Sequence, residues 1–435
     1  MTIFRLAALL ALAAAFVHGR DAAAATVKPL YEFCSQTNCT DGQAPRGDLA
    51  MDASGDLFGV TAGGGDTQDG TVFELVRNQK TGGWTYQRVY SFCSAQPCLD
   101  GLNPAGGLVI DTQGRLYGVT SFGGAFGFGT LYQLAQSGGN WTYKVLANFC
   151  TQTDCEDSGR PFSGLSYKGQ ASGTLYDGTS PLYGTTEEGG AANEGLLFEA
   201  VPGAQEWKLS TLYGFCAQPN CADGSLPEGG VSFDATGAIY GITSHGGGNT
   251  VSAGTVFRLS SKNGHKWKQK VLYSFCSQDQ CTDGVSPNPI TIDANGDILG
   301  TATLGGAHNK GLVFRLKHGG AHQGYKVLYD FCAEKKCTDG ATPEGPVTVD
   351  ASGNMFGTTT VGGTGFKDAS HQGGGTIFEI SGSHYQTLVD FCRRKSCFDG
   401  GFPWGALLPD GNGNYFGVAE NGGSKLGGMI FELTP

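Results

Sequence analysis

The stretch Y-S-F-C-S-A-Q-P-C-L-D-G (residues 90–101) holds two cysteines five positions apart, and the chain repeats this clasp seven times. The pairs are Cys34/Cys39, Cys93/Cys98, Cys150/Cys155, Cys216/Cys221, Cys276/Cys281, Cys332/Cys337 and Cys392/Cys397, which use all 14 cysteines of the 435 residues. Their first members are spaced by 59, 57, 66, 60, 56 and 60 residues. A chain punctuated this regularly is an array of one small unit, so the repeat must be understood before any domain is sought. Zinc would need four ligands, whereas each clasp brings two thiols and no histidine at a regular offset. Fully paired cysteines in an exported chain read as disulfides. Bonding within each clasp is the simplest scheme, because every pair is self-sufficient. Closing so short a loop stabilises by only about 2 kcal/mol, so the clasps shape loops more than they hold the protein together.

Export is expected from the beginning of the sequence. Arg5 precedes the apolar run L-A-A-L-L-A-L-A-A-A-F-V and the small-residue run A-A-A-A-T, which reads as a signal peptide over residues 1–25. That run is too short to span a bilayer, and no later stretch approaches the roughly 20 apolar residues a span requires. A secreted or periplasmic location follows. The net charge is −11, which argues against nucleic acid or an anionic membrane surface as partner. Glycine contributes 73 residues, well above the usual 7% or so, but at fixed places that mark turns.

One unit can be read from residues 106–150. It contains four short runs, G-L-V-I-D, L-Y-G-V-T, G-T-L-Y-Q-L and W-T-Y-K-V-L-A-N-F. Each is rich in aromatic and β-branched residues and bounded by Gly, Asn or Asp, so each predicts a strand. Four strands in about 60 residues, repeated, predict an all-β, seven-bladed β-propeller over residues 26–435. The ends are complementary. A lone fourth strand, V-K-P-L-Y-E-F-C (27–34), opens the mature chain, and strands one to three (405–435) close it. Joined, they complete the seventh blade, with residues 27–33 expected beside 428–433, and hide edges that would invite aggregation.

The recurring D-x-x-G-x-L-Y-G-x-T-x-x-G-G…G-T pattern stands here as Asp111, Gly114, Leu116, Tyr117, Gly118, Thr120, Gly123, Gly124, Gly129 and Thr130. It resembles the GloVer tandem repeat of choice-of-anchor extracellular proteins, over nearly all of the mature chain. The resemblance implies an exported repeat protein and brings no established activity or catalytic residues. The chain ends at F-E-L-T-P, without the apolar tail that a C-terminal anchor would have.

Strand alternation places the clasps and the double-glycine loops on one face, the clasp face, and the D-x-x-G turns on the other. Asp41, Asp100, Asp157, Asp223, Asp283, Asp339 and Asp399 follow the clasps. They read either as a ring of carboxylates that attracts cations or as seven Asx-turns, and an unvaried residue in every blade fits geometry better than chemistry. D-A-N-G-D (293–297) and D-G-N-G-N (410–414) echo part of a calcium loop but lack its closing glutamate, so no metal or cofactor is expected. His308, His318 and His322 fall on both faces and read as solvated loop residues. The phenylalanine before each clasp, with Trp84, Trp141, Trp207 and Trp267, reads as inter-blade packing.

Positions that differ among blades within the constant frame are the best candidates for ligand contact. They precede the double glycines: Ala62/Gly63, Ser121/Phe122, Glu187/Glu188, Ser244/His245, Thr303/Leu304, Thr360/Val361 and Glu420/Asn421. Phe122, Glu187, Glu188, His245, Glu420 and Asn421 are the expected ligand-binding set, with the insertion 364–374 able to reach across the face. Two functions are consistent with this. One is a monomeric, secreted binding or scaffold module for a glycan, peptide or protein. The alternative is a secreted glycan hydrolase or lyase using Glu187, Glu188 and Glu420, for which two carboxyl groups about 5–10 Å apart are needed. No G-x-S-x-G, H-E-x-x-H or phosphate loop is present, so no catalytic residue is assigned.

Overall fold

The computed structural model describes residues 25–435 except 153–154, 204–205, 249–250, 262–265, 320–323 and 366–372. The expected signal peptide and His322 lie outside these residues, as does most of the 364–374 insertion. The described chain forms seven antiparallel sheets in a ring, each ordered one to four from the axis outward. Blade 1 comprises residues 43–91, blade 2 102–148, blade 3 159–214, blade 4 232–274, blade 5 285–330 and blade 6 348–390. Blade 7 joins residues 401–434 to the strand Thr26–Glu32. That strand pairs with Met429–Thr434 in the register Thr26↔Thr434 to Glu32↔Met429, with a bulge between Pro29 and Tyr31. The termini therefore close the ring as the sequence predicts.

The repeated motif has a packing logic. The glycine of each L-Y-G-x-T second strand leaves room for an aromatic ring of the third. A methyl group on Gly59 would lie 2.6 Å from Phe73, and one on Gly241 would lie 2.7 Å from Phe257. In blades 1, 2, 4 and 6 the threonine two positions on bonds the threonine that opens strand three, as in Thr61–Thr71 (2.8 Å) and Thr243–Thr255 (2.9 Å). The core lies between blades. Phe33, Leu57, Phe73, Phe416 and Ile430 form one cluster where blade 7 meets blade 1. The tryptophans contribute as expected, with Trp84 edge-on to Phe416 of the neighbouring blade. Each such ring contributes about 2–3 kcal/mol by burial.

All seven clasps are disulfides, each closed within itself: Cys34–Cys39, Cys93–Cys98, Cys150–Cys155, Cys216–Cys221, Cys276–Cys281, Cys332–Cys337 and Cys392–Cys397. The chain between these cysteines is tightly coiled. Cys39 and Cys221 each end a single turn of 3-10 helix, Thr37–Cys39 and Pro219–Cys221. Cys39, Cys155 and Cys221 are also left-handed, with φ of 52°, 55° and 47°. The physical reason is ring size: a bridge over four intervening residues forces the backbone to coil tightly and then reverse. The reversal aims the carbonyl of the second cysteine inward. That of Cys39 accepts from the amides of Gly42 (2.9 Å) and Gly65 (3.0 Å), and that of Cys221 from Gly224 (2.8 Å) and Gly247 (2.9 Å). Gly124, Gly306, Gly363 and Gly423 likewise donate to the second cysteine of their clasps, which puts clasps and double glycines on one face. Cys155 departs from this pattern, because the Gly190 amide donates to the Glu156 carbonyl instead (3.2 Å).

The aspartates behind the clasps are braces. Asp283 accepts from the Ser277 amide (2.9 Å), the Ser277 hydroxyl (2.7 Å), the Tyr273 hydroxyl (2.7 Å) and the Gln278 amide (3.3 Å). Tyr325, from the next outer strand, stacks on Tyr273 at 3.9 Å and donates to the Asp283 carbonyl at 2.6 Å. This tyrosine pair ties consecutive blades at their rim. The two calcium-like stretches are likewise turns: Asp293 and Asp410 accept from the amides of Asn295 and Asp297, and of Asn412 and Asn414.

A strand boundary also differs. Strand one of blade 2 begins at Leu102, not near Gly107. Its early part contains a proline and two adjacent glycines, which in sequence read as linker. In blade 5 the same strand is split into Val285–Pro287 and Thr291–Ile292 around Pro289.

Candidate functional site

The early halves of the first strands, or in blades 4 and 6 the segments just before them, build the site. Each contains a proline (45, 104, 161, 227, 287, 343 or 403) preceded by a residue with φ between 49° and 55°, such as Arg160 at 50°. That left-handed residue donates its amide to the previous blade, as Ala44 does to Gly427 (2.9 Å) and Arg160 to Phe128 (3.0 Å). Seven such latches fix the residue after each proline against a cavity of about 1970 Å³ along the ring axis. These residues are Arg46, Ala105, Phe162, Glu228, Asn288, Glu344 and Trp404. They vary from blade to blade, and sequence reasoning missed them. The signal was present in x-P-x-G/P/S, a constant proline followed by a changing residue. Among the described residues no clasp cysteine lines this cavity, Cys39, Cys155 and Cys221 included. The disulfides frame the mouth from outside it.

Two arginine stations form on the clasp side of the ring, the first of them lining the cavity through Arg46 and Trp404. In the first, Arg46 bonds Glu420 through Nη2 (2.6 Å) and Nε (3.1 Å), and its guanidinium lies 5.6 Å from the Trp404 ring. Burial raises the nearby Glu344 carboxyl above the usual range, with the Glu420 charge adding to the effect and Arg46 opposing it. Two blades further round the ring, Arg160 bonds Glu188 (Nη1–Oε1, 2.8 Å), lies 3.6 Å from Glu187, and stacks at 4.7 Å over Phe122. Burial raises the Glu187 carboxyl; Arg160 pulls it down, while Glu228 and Glu188 push it up. Arginine–carboxylate pairs of this kind hold planar, directional donors in place, and the aromatic faces stiffen them further.

The structure thus gathers Phe122, Glu187 and Glu188 around Arg160, and places Glu420 on Arg46. Glu187 and Glu188 are strand neighbours whose long side chains both reach one guanidinium. Asn421 is exposed beside Glu420. His245 is exposed and separate, with Nδ1 2.9 Å from Ser244 Oγ. At other blades the position of Glu187 serves the frame: Ser121 Oγ donates to the Pro161 carbonyl (2.9 Å) and Thr303 Oγ1 to that of Pro343 (3.1 Å). Deeper in the channel, Asp48 lies against Gly107 and Gly405 and accepts from the Ala406 amide at 2.7 Å. The corresponding first-strand residues Gly107, Gly164, Gly230, Pro346 and Ala406 have no polar side chain.

No helix among the described residues is long and apolar enough to cross a membrane. No curated protein matches this sequence. Among solved structures, a Trypanosoma rangeli sialidase mutant displaying trans-sialidase activity aligns at 11% identity and a TM-score of 0.44. The alignment covers 94% of this chain but only 59% of that one. A protein of unknown function from Dyadobacter fermentans DSM 18053 aligns at 12% identity and a TM-score of 0.41, over 90% and 94% of the two chains. The Gloeobacter/Verrucomicrobia repeat model matches residues 16–181, 166–367 and 254–435, and the chain belongs to that repeat family.

Proposed function

We propose that this is an exported binding module that holds a glycan or peptide segment at the clasp-face mouth of the channel. One observation carries the reading: two arginine–glutamate stations, each stacked on an aromatic ring, stand two blades apart on the clasp side of a channel whose lining residues vary among the blades. A seven-fold repeated surface is nearly blind to ligand orientation, so selectivity belongs to the positions that break the repeat. Trp404 and Phe122 offer stacking faces, while the glutamates accept hydrogen bonds from hydroxyl or amide groups. The expected ligand-binding set therefore expands to include Arg46, Arg160 and Trp404.

The test is a glycan and peptide array on the mature protein, followed by affinity measurements on any hit. Arg160→Ala and Trp404→Ala should each weaken binding about tenfold or more. The outer-strand pair K268A/K270A should stay within about twofold. Equal, small losses in all three would sink the model. The enzyme reading has one observation in its favour, the raised Glu187 carboxyl facing Glu228, as a general acid beside a second carboxylate would be. Retained binding with lost turnover in Glu187→Gln would move the protein to that class.

A further inference from the structure

Basic residues are distributed unevenly among the clasps. Lys335 and Lys336 stand between Cys332 and Cys337, and Arg393, Arg394 and Lys395 between Cys392 and Cys397. The other five clasps contain no lysine or arginine between their cysteines. Two loops thus hold five of the 28 basic residues in a chain of net charge −11. These loops are neighbours in the ring, joining blades 5 to 6 and 6 to 7. Tyr329, just before the first, stacks on Tyr385 of blade 6 at 3.6 Å, and Tyr385 O–H donates to the Asp339 carbonyl just after it.

Lys335, Lys336, Arg393 and Arg394 are exposed, and so is Lys425 on the double-glycine loop that bonds the second clasp through Gly423 N–H to the Cys397 carbonyl (3.2 Å). Within the two clasps the acidic residues are fewer than the basic ones: Glu334 stands beside Lys335, and Asp399 follows the second clasp. Asp399 is occupied by the amides of Arg393 (3.0 Å) and Arg394 (3.3 Å) and lies 3.8 Å from the Arg393 guanidinium. Arg394 and Lys335 have no ion pair among the described residues. Lys336 occupies the left-handed position of its clasp, with φ of 63°, where two other clasps place Asn38 and Asn220. Asparagine suits that conformation better than lysine, so the charge is held there against local preference. Phe398 projects beside the arginines, 49% exposed.

We propose that these two clasps form a docking surface for an acidic polysaccharide, separate from the channel mouth. The charge is local, so the partner must present anions to one sector of the face alone. A bilayer laid flat on the face would press the glutamates of the mouth against lipid. A single-stranded nucleic acid would want a row of stacking aromatics, and this sector offers Phe398. A flexible polyuronate can follow the rim, giving its carboxylates to arginine forks and one sugar ring to Phe398.

The probe is alginate, with dextran as the uncharged control, measured on the full mature chain by biolayer interferometry. Alginate should bind and dextran should not, with affinity falling about tenfold between roughly 50 and 300 mM NaCl. The R393E/R394E variant should lose about tenfold or more, and K335E/K336E, an independent pair, should lose several-fold. The outer-strand pair K268E/K270E should stay within about twofold of wild type. The proposal is overturned if alginate does not bind, or if all three charge reversals weaken it equally. It is overturned too if oligo(dT) or phosphatidylglycerol vesicles bind this surface more tightly than alginate.

Discussion

Asp283 shows how much one repeated side chain carries. Its carboxylate closes the clasp onto the outer strand through two amides and two hydroxyls, and its carbonyl receives the tyrosine of the next blade. Asp283→Ala removes the carboxylate acceptor shared by the Tyr273 and Ser277 hydroxyls and two amides, so we expect a loss of about 2–3 kcal/mol in a denaturant melt. A melt unchanged from wild type would refute the brace. The turn role of this aspartate was readable because Asp-Gly followed nearly every clasp. Arg160 and Trp404 were not readable in the same way. Their chemistry depends on partners distant in sequence, Glu188 for Arg160 and, a whole ring away, Arg46 for Trp404. Phe122 and Glu187 were found because they vary inside a fixed glycine frame, yet nothing in their own strand announced the guanidinium between them.

Corresponding strand positions can have opposite electrostatics in different blades. On the third strand, blades 4 and 5 place Arg258 and Arg315 near Asp234 (3.7 Å) and Asp297 (3.9 Å). Blade 1 places Glu74 there instead. Burial lifts its carboxyl to about 7, with Asp56 and Asp52 adding to the rise. A carboxyl raised above its unfolded value supports the fold fully below about pH 4.5 and loses that support as pH climbs through about 7. Glu74→Gln should therefore melt higher than wild type at pH 8, by about 1–2 kcal/mol, and match it near pH 4. Identical pH profiles would show that Glu74 is not responsible. The strands themselves were legible from their aromatic and β-branched runs. Their inner ends were not, because proline and glycine there serve close backbone approach around the axis. Gly47 and Gly106 meet so tightly that a methyl on Gly47 would overlap the Gly106 carbonyl.

The whole ring could be counted from the sequence, since its incomplete first and last units are complementary. What could not be counted was the asymmetry of the site: two arginine stations gathered from blades 7 and 1 and from blades 2 and 3. These break a repeat whose frame is otherwise nearly seven-fold. Closure rests on the strand Thr26–Glu32 and on Phe33, which is fully buried against Phe73 and its neighbours. Deleting residues 26–33 opens the edge of Met429–Thr434 and empties that core. We expect the melting temperature to fall by roughly 10 °C or more, read by calorimetry on the truncated chain. A truncated chain that melted with wild type would mean that the ring closes without it. The same pairing has a consequence for biogenesis. During synthesis the strand Thr26–Glu32 must wait for its partner Met429–Thr434, some 400 residues later. Six blades can mature in order as they appear, but the first strand stays a loose end until the final one arrives. Arrival of Met429–Thr434 is thus the event that locks the ring shut.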